Sequence, residues 1–483
     1  MKLWLLVFGL IYLGFLVWYS HRSWRRLKGQ EDPKDFLFDR ATIGPVLGFI
    51  GISATLFSTF TLQGMPAFFR NHGIAAWVFL GVTDVCLAAI LLSAGLALRK
   101  IAKQAREGGV NNITDLLCAK QSPPWVRWTY VIVVTLFLIP YVTIQIKGAS
   151  VLFQAAQPLG ETHLAWSIII VTVMLAYSCF GGIRAIFVTD GVQGAILLGV
   201  SWLLAVLILR NAGGMESLVA NVFQVEPALL SAPGPAGLLG VQFLLISFIS
   251  ICAMPYVQPQ LATRVLVVKD DRTFVMVAIG LSVFALFVIL PTMVIGLRGV
   301  GMASDMPGGF LSAILSSDGG PVVHALFVIG VLAAAMSTSD SQLLAVGTEW
   351  GSVLRKKPIG EDSGSPLVVK IVAILVGAVA LAFAQTGFRS LVLFSINSFI
   401  GTSYLLPAII GASTRDGRGR TFLGGVSLGC VLAFVLVIFG VLPKELCGIR
   451  SELWLFGLAA SCVAWVLAFP RRGVSNALVA EAR

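Results

Sequence analysis

Charge is scarce in this sequence: 12% of its 483 residues are Asp, Glu, Lys or Arg, about half the share in an ordinary soluble domain. That scarcity excludes a water-soluble core, because the uncharged runs reach about 20 residues each, the length that crosses a bilayer's hydrocarbon. Cysteine is thin as well. Its seven copies (Cys86, Cys118, Cys179, Cys252, Cys430, Cys447 and Cys462) stand singly, so neither a disulfide framework nor a paired-cysteine metal site is written here. No Gly-rich phosphate loop ending in Lys-Ser or Lys-Thr occurs, which excludes a P-loop ATPase. No nucleophile–base pair or metal constellation marks an enzyme.

What is present is apolar. Hydrophobic residues make up 57% of the chain and the mean hydropathy is +0.91. The apolar runs define an all-α polytopic membrane protein with about 13 spans, near 2–20, 42–66, 74–98, 127–156, 163–181, 185–209, 237–259, 274–297, 321–349, 367–386, 390–411, 421–441 and 452–470. The first run is too long for a signal peptide and is followed by a basic stop, so it reads as a retained helix. The net charge of +11 sits in clusters on alternate loops: Arg22, Arg25, Arg26 and Lys28; Arg99, Lys100, Lys103 and Arg106; Arg355, Lys356 and Lys357; Arg415, Arg418 and Arg420; Arg471 and Arg472. Alternation of this kind is a topology signal, with the N-terminus outside and the C-terminus in the cytoplasm of a bacterial inner membrane. Because the basic clusters fall on alternate loops between apolar runs, the charge reads as topology rather than as a nucleic-acid surface. The lipid bilayer is the partner it addresses.

Two spans are unlike the rest. The second carries Gly48, Gly51, Ser53, Thr55, Ser58, Thr59, Gly64 and Pro66; the seventh carries Ser247, Ser250, Pro255 and, just beyond, Gln258 and Pro259. Gly, Pro and hydroxyls at mid-membrane depth, at matching places in two halves, point to discontinuous helices and an inverted-repeat transporter. Close helix packing is the plainer explanation of either span alone. The chain then divides into an N-terminal helix and basic loop (1–40), a first repeat (41–210), a second repeat (211–411) and two further helices with a short tail (412–483).

The densest polar stretch is Ser337-Thr338-Ser339-Asp340-Ser341-Gln342, deep in an apolar span. In hydrocarbon these groups need partners inside the protein. They back-bond to their own helix, or they present oxygens to a small hard cation such as sodium, completed by carbonyls freed at the break between Ser53 and Ser58. Asp190 is either a helix-start cap after Gly181-Gly182 or an ion-handling carboxylate. Lys147 and Asp84 are the charges nearest the middle of their helices; they pair with each other or meet a substrate.

These residues resemble the sodium/solute symporter family over nearly the whole chain, from about Arg40 to Arg420. The resemblance rests on Ala54 to Gly64, Pro140 to Gly148, Gly181-Gly182 with Thr189-Asp190 and Gln193, Gln258-Pro259 through Arg264, and above all Met336 to Leu344. It implies a core of five plus five helices related by inverted repetition. It also implies a sodium site from the carbonyls of Ala54, Phe57 and Ala334 and the hydroxyls of Ser337 and Thr338, with Asp190, Asp340 and Ser341 in a second cation region. Lys147 falls where sialic acid transporting members have a carboxylate-binding arginine, and Asp84 where sugar transporting members have a substrate-contacting acid. Leu56 replaces a functional aspartate of proline transporting members, and Ile251 and Pro255 replace aromatic residues of their pocket, which speaks against proline.

The expected function is sodium-coupled import of a small organic solute by alternating access, with a lean toward a carboxylate. Substrate contacts fall to Gln145, Lys147, Asp84, Ser250, Pro255 and Tyr256. Sodium is the coupling ion, no cofactor is expected, and the working unit is a monomer. The alternatives are a proton-coupled symporter of the same fold, or a membrane sensor acting through a partner protein.

Overall fold

The computed structural model describes residues 1–27, 45–82, 86, 89, 91–104, 110–235, 237–268, 270–302, 309–355, 365–386, 391–414 and 416–468. Asp84 and the predicted loop residues Lys28, Arg106, Lys356, Lys357, Arg415, Arg471 and Arg472 lie outside them. The described chain is helical apart from a hairpin pairing Glu445–Leu446 with Ile449–Arg450. Its turn residues Cys447 and Gly448 both have positive φ, the twist that a two-residue hairpin requires.

In chain order the helices are α1 (Lys2–Leu27), α2 (Pro45–Leu56), α3 (Met65–His72), α4 (Leu96–Gln104), α5 (Ile113–Ala119), α6 (Pro124–Ala156), α7 (Leu164–Ala212), α8 (Met215–Val225), α9 (Val241–Val257), α10 (Pro259–Val267), α11 (Asp271–Arg298), α12 (Gly309–Ile314), α13 (Gly320–Val353), α14 (Pro366–Ala384), α15 (Leu391–Ser403), α16 (Leu406–Gly411), α17 (Gly417–Ile438) and α18 (Ser451–Ala468). Among the described residues eight helices are long and apolar enough to cross a membrane, and the pair α9–α10 makes a ninth, bent by 57°. Shorter apolar helices cover Leu164–Ala176 and Ile396–Gly411.

The predicted spans 163–181 and 185–209 differ in form, since α7 carries both as one uninterrupted helical stretch. Val173 borders a groove with Ile329 and Leu332, while a Cβ on Gly330 would stand 2.6 Å from Val200 Cγ2. Along a straight helix, residues 173 and 200 would lie about 40 Å apart. Both reach the same turn of α13, so the stretch folds back and the two predicted spans are its legs.

Polarity is inverted relative to a soluble protein. Leu3, Leu10, Val46, Val241 and Phe287 point outward, whereas Asp190, Gln193, Asp340, Gln342 and Glu349 are fully buried. Helix α13 is the axis of the bundle. It packs against α1, α2, α5, α6, α7, α10 and α14, and nearly all of its side chains from His324 to Ser352 are buried. A helix enclosed all round has no solvent face, so every polar group on it is matched within the protein or serves a ligand.

Candidate ion and solute site

Helix α2 stops at Leu56, and Phe57 and Ser58 are non-helical before a wide π turn at Phe60–Gly64 leads into α3. Side chains take up the backbone donors that the break frees. Ser58 N–H donates to Thr61 Oγ1 (3.0 Å), Thr59 N–H to Gln145 Oε1 (2.9 Å) and Phe60 N–H to Ser58 Oγ (3.1 Å). On the acceptor side, Ser337 Oγ donates toward Ala54 O (3.1 Å) and toward Ala334 O in its own helix (3.0 Å), and Thr338 Oγ1 lies 3.5 Å from Thr55 O. Ala54, Ala334 and Ser337 therefore converge, Thr338 lies alongside, and Phe57 is the first residue past the helix end. The set contains only oxygens, the donor type that a hard cation takes.

Asp190 lies deep between helices, with a partner that spacing along the chain does not reveal. Arg264, on α10, donates through Nη2 to Asp190 Oδ2 at 2.6 Å and to Ser341 Oγ at 2.5 Å, and its guanidinium lies 4.5 Å from the Phe187 ring centre. Ser341 Oγ is 3.5 Å from the same carboxylate oxygen. Asp340 turns Oδ1 back to Ser341 N–H at 2.6 Å. Asp190 and Ser341 thus come together around a fixed positive charge, the Arg264 guanidinium.

The second interruption falls at Gln258, which is extended between α9 and α10. Pro255 and Pro259 withhold two backbone donors there. Gln258 Nε2 donates to Thr402 Oγ1 on α15 (3.0 Å), and Ser403 Oγ reaches Ser250 O at 3.5 Å. The π turn of the first break also touches α15, so that helix is a common support for both interruptions. In the sequence Thr402 and Ser403 stand out only as hydroxyls in an apolar run.

The proposed solute contacts scatter. Gln145 is buried and committed to Thr59. Lys147 Nζ donates to Thr386 O at 2.6 Å, just beyond the end of α14, where a cation meets the negative end of a helix. Ser250 Oγ back-bonds to Ile246 O at 2.8 Å. Pro255 is buried in the last turn of α9, and Tyr256 borders an apolar cavity of about 500 Å³ with Cys252, Leu406 and Ile409.

Apolar spans around a polar axis, with two helices interrupted beside buried hydroxyls and a carboxylate, define a membrane transporter rather than an enzyme. The fold is shared with a solved Na+-coupled sialic acid symporter in a substrate-bound outward-open state, at a TM-score of 0.73 and 16% identity over 96% of each chain. The chain belongs to the sodium:solute symporter family, whose model matches residues 40–411. It is 24% identical over 343 residues to a sodium/pantothenate symporter of Haemophilus influenzae, covering 69% of each chain. It is also 24% identical over 376 residues to an osmoregulated proline transporter of Bacillus subtilis, covering 73% of this chain and 74% of that one. The protein is accordingly a sodium-coupled symporter of a small organic solute.

Proposed function

We propose that the chain imports a carboxylate-bearing solute across a bacterial inner membrane, driven by sodium and working by alternating access as a monomer. Pantothenate, proline and sialic acid, which the related proteins are named for, all carry a carboxylate. Residues 41–210 and 211–411 are the two inverted repeats of the transport core, 1–40 and 412–483 are additions to it, and the N-terminus lies outside. Sodium binds to the carbonyls of Ala54, Phe57 and Ala334 and the hydroxyls of Ser337 and Thr338, with Asp190, Asp340 and Ser341 forming the second cation region. The ion draws the broken helix onto α13 and favours the conformation that accepts solute; coupling is a shared preference for one state. Lys147, on the outer half of α6 in this topology, attracts the carboxylate.

The observation that carries this reading is the Ser337 hydroxyl, 3.1 Å from Ala54 O and 3.0 Å from Ala334 O. It joins the end of the broken helix to the axis of the bundle through oxygens alone. The test is uptake of labelled carboxylates into proteoliposomes under a sodium gradient and, separately, a pH gradient. Replacing Ser337 and Thr338 together with Ala is expected to abolish sodium-stimulated uptake. Full retention would sink the site, and uptake driven by pH alone would sink sodium coupling.

A further inference from the structure

Helix α1 lies against α7 and α13 and shows mostly apolar side chains to the outside. Among its described side chains only Leu5, Tyr12, Leu16 and Ser20 are buried. Tyr12 is the one that enters polar territory. Its hydroxyl accepts from Gln193 Nε2 at 2.8 Å and donates to Met336 Sδ at 3.5 Å. Gln193 follows Asp190 by three positions and shares its helix face. Met336 immediately precedes Ser337. One phenol from the first helix therefore touches both α7, which carries Asp190, and α13, which carries Ser337 and Ser341.

Packing alone does not call for this hydroxyl, since Phe would fill nearly the same volume and a buried hydroxyl costs free energy unless bonded. Its effect is on the amide. With Nε2 engaged by the phenol, Gln193 turns Oε1 the other way. Among the described residues no donor reaches Gln193 Oε1, and none reaches Asp190 Oδ1, the carboxylate oxygen that Arg264 leaves unused. Two buried, unpartnered acceptor oxygens thus stand on side chains one helical turn apart, and oxygen is the donor type that a hard cation takes.

We propose that Tyr12 is a positioning residue for ion coupling: it orients Gln193 so that its carbonyl oxygen joins Asp190 as a sodium ligand, which makes α1 part of the coupling machinery. The proposal rests on the sodium-coupled reading above. The probe is sodium alone, titrated as sodium chloride against choline chloride at constant ionic strength, with the melting temperature of the purified full chain as readout. The wild type is expected to show a sodium-specific rise. In Tyr12→Phe, half of that rise should need about tenfold more sodium, the scale of one lost charge-assisted contact. Gln193→Leu should show a similar shift, and the double variant should be no worse than Gln193→Leu alone.

A Tyr12→Phe protein that half-saturates at the wild-type sodium concentration overturns the proposal, whatever its basal melting temperature. Additive losses in the double variant overturn the route through Gln193. Should Tyr12→Phe fail to fold, Gln193→Glu carries the test: the added charge beside the ion should lower half-saturating sodium, and an increase counts against the assignment. A wild type indifferent to sodium removes the coupling reading itself, a result distinct from all of these.

Discussion

Arg264 and Asp190 hold opposite charges 2.6 Å apart with side chains 4% and 0% exposed, so neither can lose its partner cheaply. Removing one half of a buried pair leaves an uncompensated charge and costs about 3–5 kcal/mol, while removing both charges costs far less. Arg264→Met is therefore expected to lower stability by that amount, and adding Asp190→Asn should recover most of it. Denaturant midpoints of the purified variants in mild detergent measure both; a loss below about 1 kcal/mol in the single variant would mean that the pair is not closed off from water. Asp190 and Ser341 were legible in the sequence as polar groups that needed company. Their connection through Arg264, 74 positions from Asp190, was not, because no helical or strand period links such distant residues. The available signal was an arginine inside an interrupted apolar segment, which must find an acid.

At the scale of elements, the two interruptions were legible and their supports were not. Gly, Pro and hydroxyl density marked both breaks, since a chain that leaves the helix in hydrocarbon needs side chains to replace the lost ladder. The sequence points Gln145 and Lys147 toward the solute; in the structure Gln145 also takes the Thr59 N–H and Lys147 the Thr386 carbonyl. Composition states that a long polar side chain needs a partner but not whose backbone supplies it. The same helix admits the break closely, for a Cβ on Gly148 would stand 2.3 Å from Thr59 Cγ2 and 2.9 Å from Gln63 Oε1. Gln145→Leu is expected to strand the Thr59 donor and cost about 1–3 kcal/mol, whereas Gln145→Glu keeps an acceptor there and should recover part of the loss. Thermal unfolding of the two variants compares them, and equal melting temperatures would show that the break does not depend on this bond.

The whole molecule is organised along α13, which reaches from the oxygens at Ser337 to a second buried network about 18 Å further on. There Glu349 accepts the backbone donors of Ile113 (3.3 Å) and Thr114 (2.8 Å), Asn112 Nδ2 donates to Ser352 Oγ (2.9 Å), and Arg355 pairs with Asp115 at 2.9 Å. Burial pushes the Asp115 carboxyl up from its usual value, with Arg355 and Ser352 pulling against it. Five side chains, Glu349, Asn112, Ser352, Arg355 and Asp115, thus lash α5 and its N-terminal cap to the far end of the axis. The single apolar run predicted at 321–349 hid this division of labour, because an acid near the end of a run reads as an interfacial residue. Separation along one helix makes the two regions independently testable. Glu349→Gln keeps one acceptor oxygen but turns an amide donor toward a backbone N–H, an unmet contact worth about 1–3 kcal/mol. The variant should melt at a lower temperature while its sodium-induced rise half-saturates at the wild-type concentration, the reverse of the expectation for Tyr12→Phe. A shift in sodium dependence in Glu349→Gln would show that the two ends of α13 act as one unit, and that the ion site is held by the whole length of the helix rather than by the turn around Ser337.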